Sequence, residues 1–214
     1  MAEFRILRQD KGMTETLTKG ERTRLKIVSA AIHLFAKKGF SQTSFQEIAD
    51  RCKITQPAIF VHFKNKSALL NAVRKQVSAS NHEFTDGRIL VTDDALTALI
   101  KHCQSNIEWA IKNPQEAQII FLTYYYAFFD PEFSAVFPSV IGLGTERILK
   151  YVLAGQRERK FHSKLDAETL SILIHEYLVG IFFRNLPGRK AKTWSPEEMH
   201  RLEIFLERIL EIRS

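Results

Sequence analysis

The sequence predicts an all-α chain: an N-terminal three-helix unit of helix-turn-helix type, a linking helix, and a larger helical C-terminal domain. Three observations carry this. Apolar residues recur at three- and four-residue steps along almost the whole chain, and nowhere do they alternate as in a half-buried strand. Glycine and proline fall where those periodic segments begin or end. Positive charge is confined to the first third: residues 1–80 carry 15 Lys and Arg against 6 Asp and Glu, whereas residues 81–214 carry 16 against 18. That asymmetry suits a nucleic acid or an anionic membrane surface, and a solvated basic face without a partner would look the same.

With 214 residues, 45% of them apolar and 16 of them Phe, the chain can bury a substantial core. Cys52 and Cys103 stand far apart on apolar helical faces, which argues against a disulfide scaffold or a cysteine metal site and fits a reducing cytoplasm. No apolar run approaches the roughly 18 residues needed to span a bilayer, and the N-terminal stretch lacks a signal-like apolar region. The expected location is cytoplasmic.

Residues 1–18 show no period and are expected to form a mobile tail, with Met13 as an alternative start. From Lys19 the positions Leu25, Ile27, Val28, Ala31, Leu34 and Phe35 trace an amphipathic helix that Gly39 ends. In "TSFQEIADRC", Ser44 and Glu47 make a capping box for a short second helix with Phe45, Ile48, Ala49 and Cys52 on one face. Thr55 can cap a third helix of seven or eight residues, with Gln56 and Pro57 in its first turn, where the missing proline N–H removes no bond. Ile59 and Phe63 then face inward, and Gln56, Pro57, Ala58, Phe60 and His62 face at least partly outward. Asn65 can cap a fourth helix from Lys66 that carries Leu69, Leu70, Val73 and Val77. Two short helices joined by a tight turn, the second exposing polar, aromatic and small residues, form the pattern of a helix-turn-helix.

The stretches "AAIHLFAKKGFSQTSFQEIA" and "ITQPAIFVHFKNKSALL" resemble the DNA-binding domain of the TetR/AcrR family of bacterial transcriptional regulators, over about a quarter of the chain. The resemblance implies a dimeric repressor with a DNA-reading domain over 19–75 and a ligand-binding and dimerisation domain over 76–214. On that reading Gln56, Pro57, Ala58 and Phe60 reach base edges, while Thr43, Ser44, Thr55, His62, Lys64 and Lys66 hold phosphates. Two positions depart from the family pattern. Lys53 stands where a glycine usually ends the second helix, and Phe60 replaces a tyrosine whose hydroxyl reaches a phosphate, a hydrogen bond that the phenyl ring cannot donate.

Beyond Ser80 further helices follow: "DDALTALIKHCQSNIEWAIKN" up to Pro114, "QEAQIIFLTYYYAFFD" up to Pro131, and a long segment to about Gln156 that Pro138 is expected to bend or split. "DAETLSILIHEYLVGIFFRNL" is apolar nearly all round, and the last helix, opened by Ser195, Pro196 and Glu198, carries a broad apolar stripe. A two-fold four-helix interface would cover both, and Leu170, Ile174, Leu178, Leu202, Phe205, Leu206 and Ile209 are its expected residues.

His102, Trp109, Tyr124, Tyr126 and His175 are the candidate ligand-pocket residues, with core packing as the competing reading of the aromatic run and of both histidines. No acid or arginine belongs to that set, so the expected effector is an apolar or aromatic small molecule. No histidine pair has metal-ligand spacing, and no nucleophile elbow or phosphate-binding glycine loop is present, so neither a metal, a cofactor nor an enzyme activity is expected. The expected partners are a double-stranded DNA operator, a small-molecule effector and a second copy of the chain, with no membrane. The alternative is an architectural or weakly specific DNA-binding protein without an effector.

Overall fold

The computed structural model describes residues 17–185 and 194–212, so the expected tail lies, up to residue 16, outside the described residues. These described residues form nine helices and no strand: α1 (Lys19–Lys38), α2 (Phe45–Cys52), α3 (Gln56–Phe60), α4 (Lys66–Asp86), α5 (Ala95–Lys112), α6 (Pro114–Tyr126), α7 (Pro131–Arg157), α8 (Ala167–Asn185) and α9 (Pro196–Leu210). None of them is long and apolar enough to cross a membrane.

Local chemistry sets most of the helix ends. Capping boxes start α1 at Thr18 and Glu21, α2 at Ser44 and Glu47, and α9 at Ser195 and Glu198. Asn65 Oδ1 accepts from Ala68 N at 2.8 Å and so starts α4. The expected break at Pro138 does not divide α7, which runs as one helix through it. A proline removes a single ladder bond, and the packing of a helix this long outweighs that loss.

The described residues divide into two compact units, those up to Ser78 together with Gln118–Leu122, and Ala79–Ala117 together with those from Thr123 onward. Helix α4 therefore passes the expected boundary at residues 75–76 and contributes to both. In the first unit Ile27, Val28, Ala31 and Phe35 of α1 are buried with Ile48, Ala49 and Cys52 of α2, Ile59 of α3 and Leu69 and Val73 of α4. Each such large side chain contributes about 1.5–3 kcal/mol of hydrophobic stabilisation. In the second unit the core is built from Leu99, Ile107 and Trp109 of α5, Ile148 and Val152 of α7, Leu170, Ile174 and Leu178 of α8, and Leu202, Leu206 and Leu210 of α9. After α7 the backbone turns through Arg159 at φ 55°. His162 N then donates to Leu210 O at 2.9 Å, tying that turn to the end of α9.

Two consequences are measurable. A Cβ on Gly155 would stand 2.1 Å from the ring of Phe161, itself buried. Gly155→Ala should therefore lower stability by about 1–3 kcal/mol in a denaturant melt, and a smaller side chain at Phe161 should restore part of it. His102 is 3% exposed. Burial first, and then the positive charges of Arg147, Lys150, His82 and His175, push its pKa down from the usual 6.5 to about 3. Between those values the unfolded chain binds a proton that the folded chain refuses, so stability falls as pH drops, by about 2 kcal/mol from this residue at pH 5. His102→Gln should show a pH 7.5 to pH 5 loss smaller by about that amount.

Candidate functional site

The reading head begins at the α2 cap. Ser44 N donates to Glu47 Oε2 at 2.8 Å, and Glu47 N donates to Ser44 Oγ at 3.2 Å. Glu47 also receives the Lys38 ammonium, and these partners, Lys38 first, hold its carboxyl down at about 2. Helix α2 ends at Lys53, whose backbone is left-handed at φ 54° and ψ 46°. A residue with a Cβ thus occupies a conformation that glycine takes without steric cost.

Helix α3 has five residues and not the expected seven or eight, because the chain leaves it at Val61 in a tight turn, with His62 N and Phe63 N both donating to Ile59 O at 2.9 Å. Thr55 is its N-cap by backbone geometry, but its side chain makes no capping bond. Ile59 is fully buried and Phe63 is 3% exposed, as their spacing required. The opposite side carries exposed Pro57 and part-exposed Gln56 and Ala58. Phe60 is 50% exposed and rests edge-on against Phe45 at 5.1 Å. Val61, 82% exposed, joins this surface. Sequence reasoning missed it because a valine one step past Phe60 reads as core.

The expected phosphate set divides. Thr55 and Lys64 are exposed and His62 is partly so. Thr43 is 2% exposed, and its hydroxyl donates inward to Gly39 O at 2.9 Å, which removes it from any surface contact. The Ser44 hydroxyl is exposed but is taken up by the capping box. Lys66 does not simply project outward: its Nζ donates to Ser41 O at 3.3 Å and lies 4.4 Å from the centre of the Phe40 ring. Burial, ahead of the Lys38 charge, lowers its pKa.

The five candidate pocket residues do not share one aromatic cavity. Trp109 is fully buried and donates Nε1–H to Ser80 Oγ at 3.1 Å, so it is a core residue with its polar atom satisfied. Tyr124 packs edge-on against Phe137 at 5.0 Å and Phe183 at 6.2 Å, and burial raises its pKa. Tyr126 sits instead against Phe133 at 5.1 Å and Tyr125 at 5.3 Å. The two histidines lie on a third surface, the stripe of α7 that carries Gly144, Arg147 and Tyr151. The His102 and Tyr151 rings are 5.5 Å apart. A Cβ on Gly144 would fall 2.4 Å from His175 Nε2, so the ring lies directly on the bare backbone.

A directional line of hydrogen bonds ends at His102. Arg147 can only donate, and its Nη1 gives to Asn81 Oδ1 at 3.1 Å. Asn81 Nδ2 then gives to Asn106 Oδ1 at 3.0 Å. That turns Asn106 Nδ2 toward His102, 2.9 Å from its carbonyl and 3.2 Å from Nε2. Nε2 must accept, so the neutral ring carries its proton on Nδ1. Nδ1 is buried and meets no acceptor among the described residues. Sequence reasoning found His102 but not Asn81, Asn106 or Arg147, which no local pattern connects.

Burial within the single chain divides the expected dimer residues. Leu170, Ile174, Leu178, Leu202 and Leu206 are at most 5% exposed within a single chain and belong to its own core. Phe205 stacks on Tyr177 at 3.8 Å and Ile209 is partly exposed. The large apolar residues of α8 and α9 that stay exposed in the single chain are Ile172 (46%), Leu173 (36%), Phe183 (50%) and Ile204 (42%). A surface groove lined by Tyr177, Gly180, Ile181, Arg184 and Arg201 lies on the same two helices. Among the described residues no group of three His, Cys, Asp or Glu is placed to hold a metal ion.

Residues 27–73 match the family model of bacterial regulatory proteins, tetR family. Over 188 residues the chain is 26% identical to the probable acrEF/envCD operon repressor of Escherichia coli (strain K12), an alignment spanning 84% of this chain and 85% of that one. It is 31% identical over 85 residues to the class G tetracycline repressor protein of Vibrio anguillarum, spanning 36% of this chain and 40% of the relative. Its fold is similar to that of a putative transcriptional regulator from Saccharomonospora viridis solved in complex with choline, with a TM-score of 0.76, 17% identity, and coverage of 91% of this chain and all of that one. The first unit thus carries the segment that the tetR-family model describes, and over more than four-fifths of its length the chain is similar to a probable operon repressor.

Proposed function

We propose that the protein is a cytoplasmic, dimeric, non-enzymatic repressor that holds a palindromic operator and leaves it when a small molecule binds the second unit. The observation that carries this reading is the outer side of α3: Gln56, Pro57, Ala58, Phe60 and Val61 face solvent while Ile59 and Phe63 anchor the other side. A dimer would set two such helices about 34 Å apart, one DNA turn. Gln56 would pair bidentately with an adenine, and Ala58, Phe60 and Val61 would meet thymine methyl groups. Thr55, His62 and Lys64 would hold phosphates, and Lys66 would add whatever N–H capacity Ser41 leaves it. By linkage, an effector that weakens operator binding is itself bound more weakly by the DNA complex, by the same factor.

Footprinting across a salt titration tests the DNA part. Gln56→Ala should cost roughly 1–3 kcal/mol on the operator, relax preference at one base pair, and leave random-sequence binding unchanged. Lys64→Ala should weaken operator and random DNA alike and lower the salt slope by about one. Equal loss on both DNAs from both variants would favour an architectural binder. For the dimer, Ile172→Glu places a charge on the uncovered face of α8, and light scattering should then report monomers. The core damage that a charge at buried Ile174 would cause is avoided, because Ile172 is already 46% exposed in the single chain.

A further inference from the structure

Phe60 is a large apolar side chain left 50% exposed in the part of the chain that holds the excess of positive charge, 15 Lys and Arg against 6 Asp and Glu over residues 1–80. Its ring has a fixed neighbour. Phe45, the first residue of α2, meets it edge-on, with ring centres 5.1 Å apart and planes at 81°. Aromatic pairs favour this arrangement, so each ring limits the directions open to the other. Phe45 stands in the turn that the Ser44–Glu47 box fixes, and the Lys38 ammonium holds Glu47 in turn. On the other side, buried Ile59 and Phe63 hold the backbone that carries Phe60. Val61, 82% exposed, extends the apolar surface by one residue.

A partner for this surface must be anionic around it and apolar at the point of contact. Duplex DNA meets both conditions in the major groove, where phosphates flank the base edges and the apolar group on display is the thymine C5-methyl. The other groups there are told apart by hydrogen bonds, which a phenyl ring does not make. We propose that Phe45 is a positioning residue for base recognition: by holding the Phe60 ring edge-on, it aims that ring at one thymine methyl in each half-site. This rests on the reading of the chain as an operator-binding regulator, and it makes the specificity of α3 depend on a side chain of α2. Phe45 acts through Phe60 and touches no base itself. Phe60 thus takes up a different task from the tyrosine it replaces, whose hydroxyl reaches a phosphate.

The test uses the full chain and a duplex that it selects from random-sequence DNA, remade with uracil at each thymine in turn, in both half-sites together. Uracil keeps the pairing and O4 of thymine and lacks only the methyl group. At one position uracil should weaken binding by about fourfold per half-site, the worth of one buried methyl. Phe60→Ala should bind the thymine and uracil duplexes equally, which closes a cycle between ring and methyl. Phe45→Leu and Phe45→Met fill the apolar site without a ring edge. Either variant, shown to be folded by its thermal melt, should lose most of the thymine preference and keep the wild-type affinity and salt slope on random DNA. Four results overturn the proposal: uracil tolerated at every position, a preference unchanged in Phe60→Ala, a preference unchanged in both Phe45 variants, or one common factor of loss on thymine, uracil and random duplexes in those variants. In each of these cases the selected duplex is still preferred by the wild type, and the operator-binding reading stands. If no sequence is selected over random DNA, that reading falls and the proposal with it.

Discussion

A helix of five residues has no stability of its own, and the first unit is organised around that constraint. Nucleating one turn fixes several dihedral angles for a single hydrogen bond, so α3 exists only because its surroundings hold it. Ile59 and Phe63 provide that hold from one side, where both are buried. Beyond its C-terminal end the chain is fixed by a cap that belongs to the next helix, Asn65. The side facing solvent is then free to carry residues chosen for recognition. A longer helix would need more of its surface for packing, and a free loop would not present Gln56 and Phe60 in one fixed relation.

The turn between α2 and α3 shows the same priority. Lys53 occupies a left-handed conformation and remains exposed. Strain of this kind costs on the order of 1–2 kcal/mol for a residue with a Cβ. What the lysine adds over glycine is a charge beside the reading helix, a use that does not depend on the folded chain's own contacts. Lys66 resolves a similar competition the other way, since its ammonium is drawn back onto Ser41 and Phe40. Two lysines that look alike in the sequence therefore divide between the outer surface and the scaffold.

What the sequence disclosed follows from the range of each interaction. The boxes at Ser44 and Ser195 are legible because a capping box spans three residues, and the box at Thr18 and Glu21 obeys the same rule. The inward direction of Ile59 and Phe63 follows from one helical turn. The burial pattern of α8 escapes such reasoning for the opposite reason. Helix α8 is apolar nearly all round, so its period does not say which side meets its own bundle, and only the packing against α7 and α9 puts Leu170 and Ile174 inside and Ile172 outside. The aromatic run of α6 misleads in the same way: consecutive rings point in different directions around a helix, and Tyr124 and Tyr126 end in separate clusters.

The line from Arg147 to His102 joins residues 66, 25 and 4 positions apart. No window along the chain contains it. Its logic comes from one fact of side-chain chemistry, that a guanidinium cannot accept a hydrogen bond, passed along two amides that must each turn to match. Asn81, the first amide, stands on α4, whose earlier turns Lys66–Ser78 belong to the first unit.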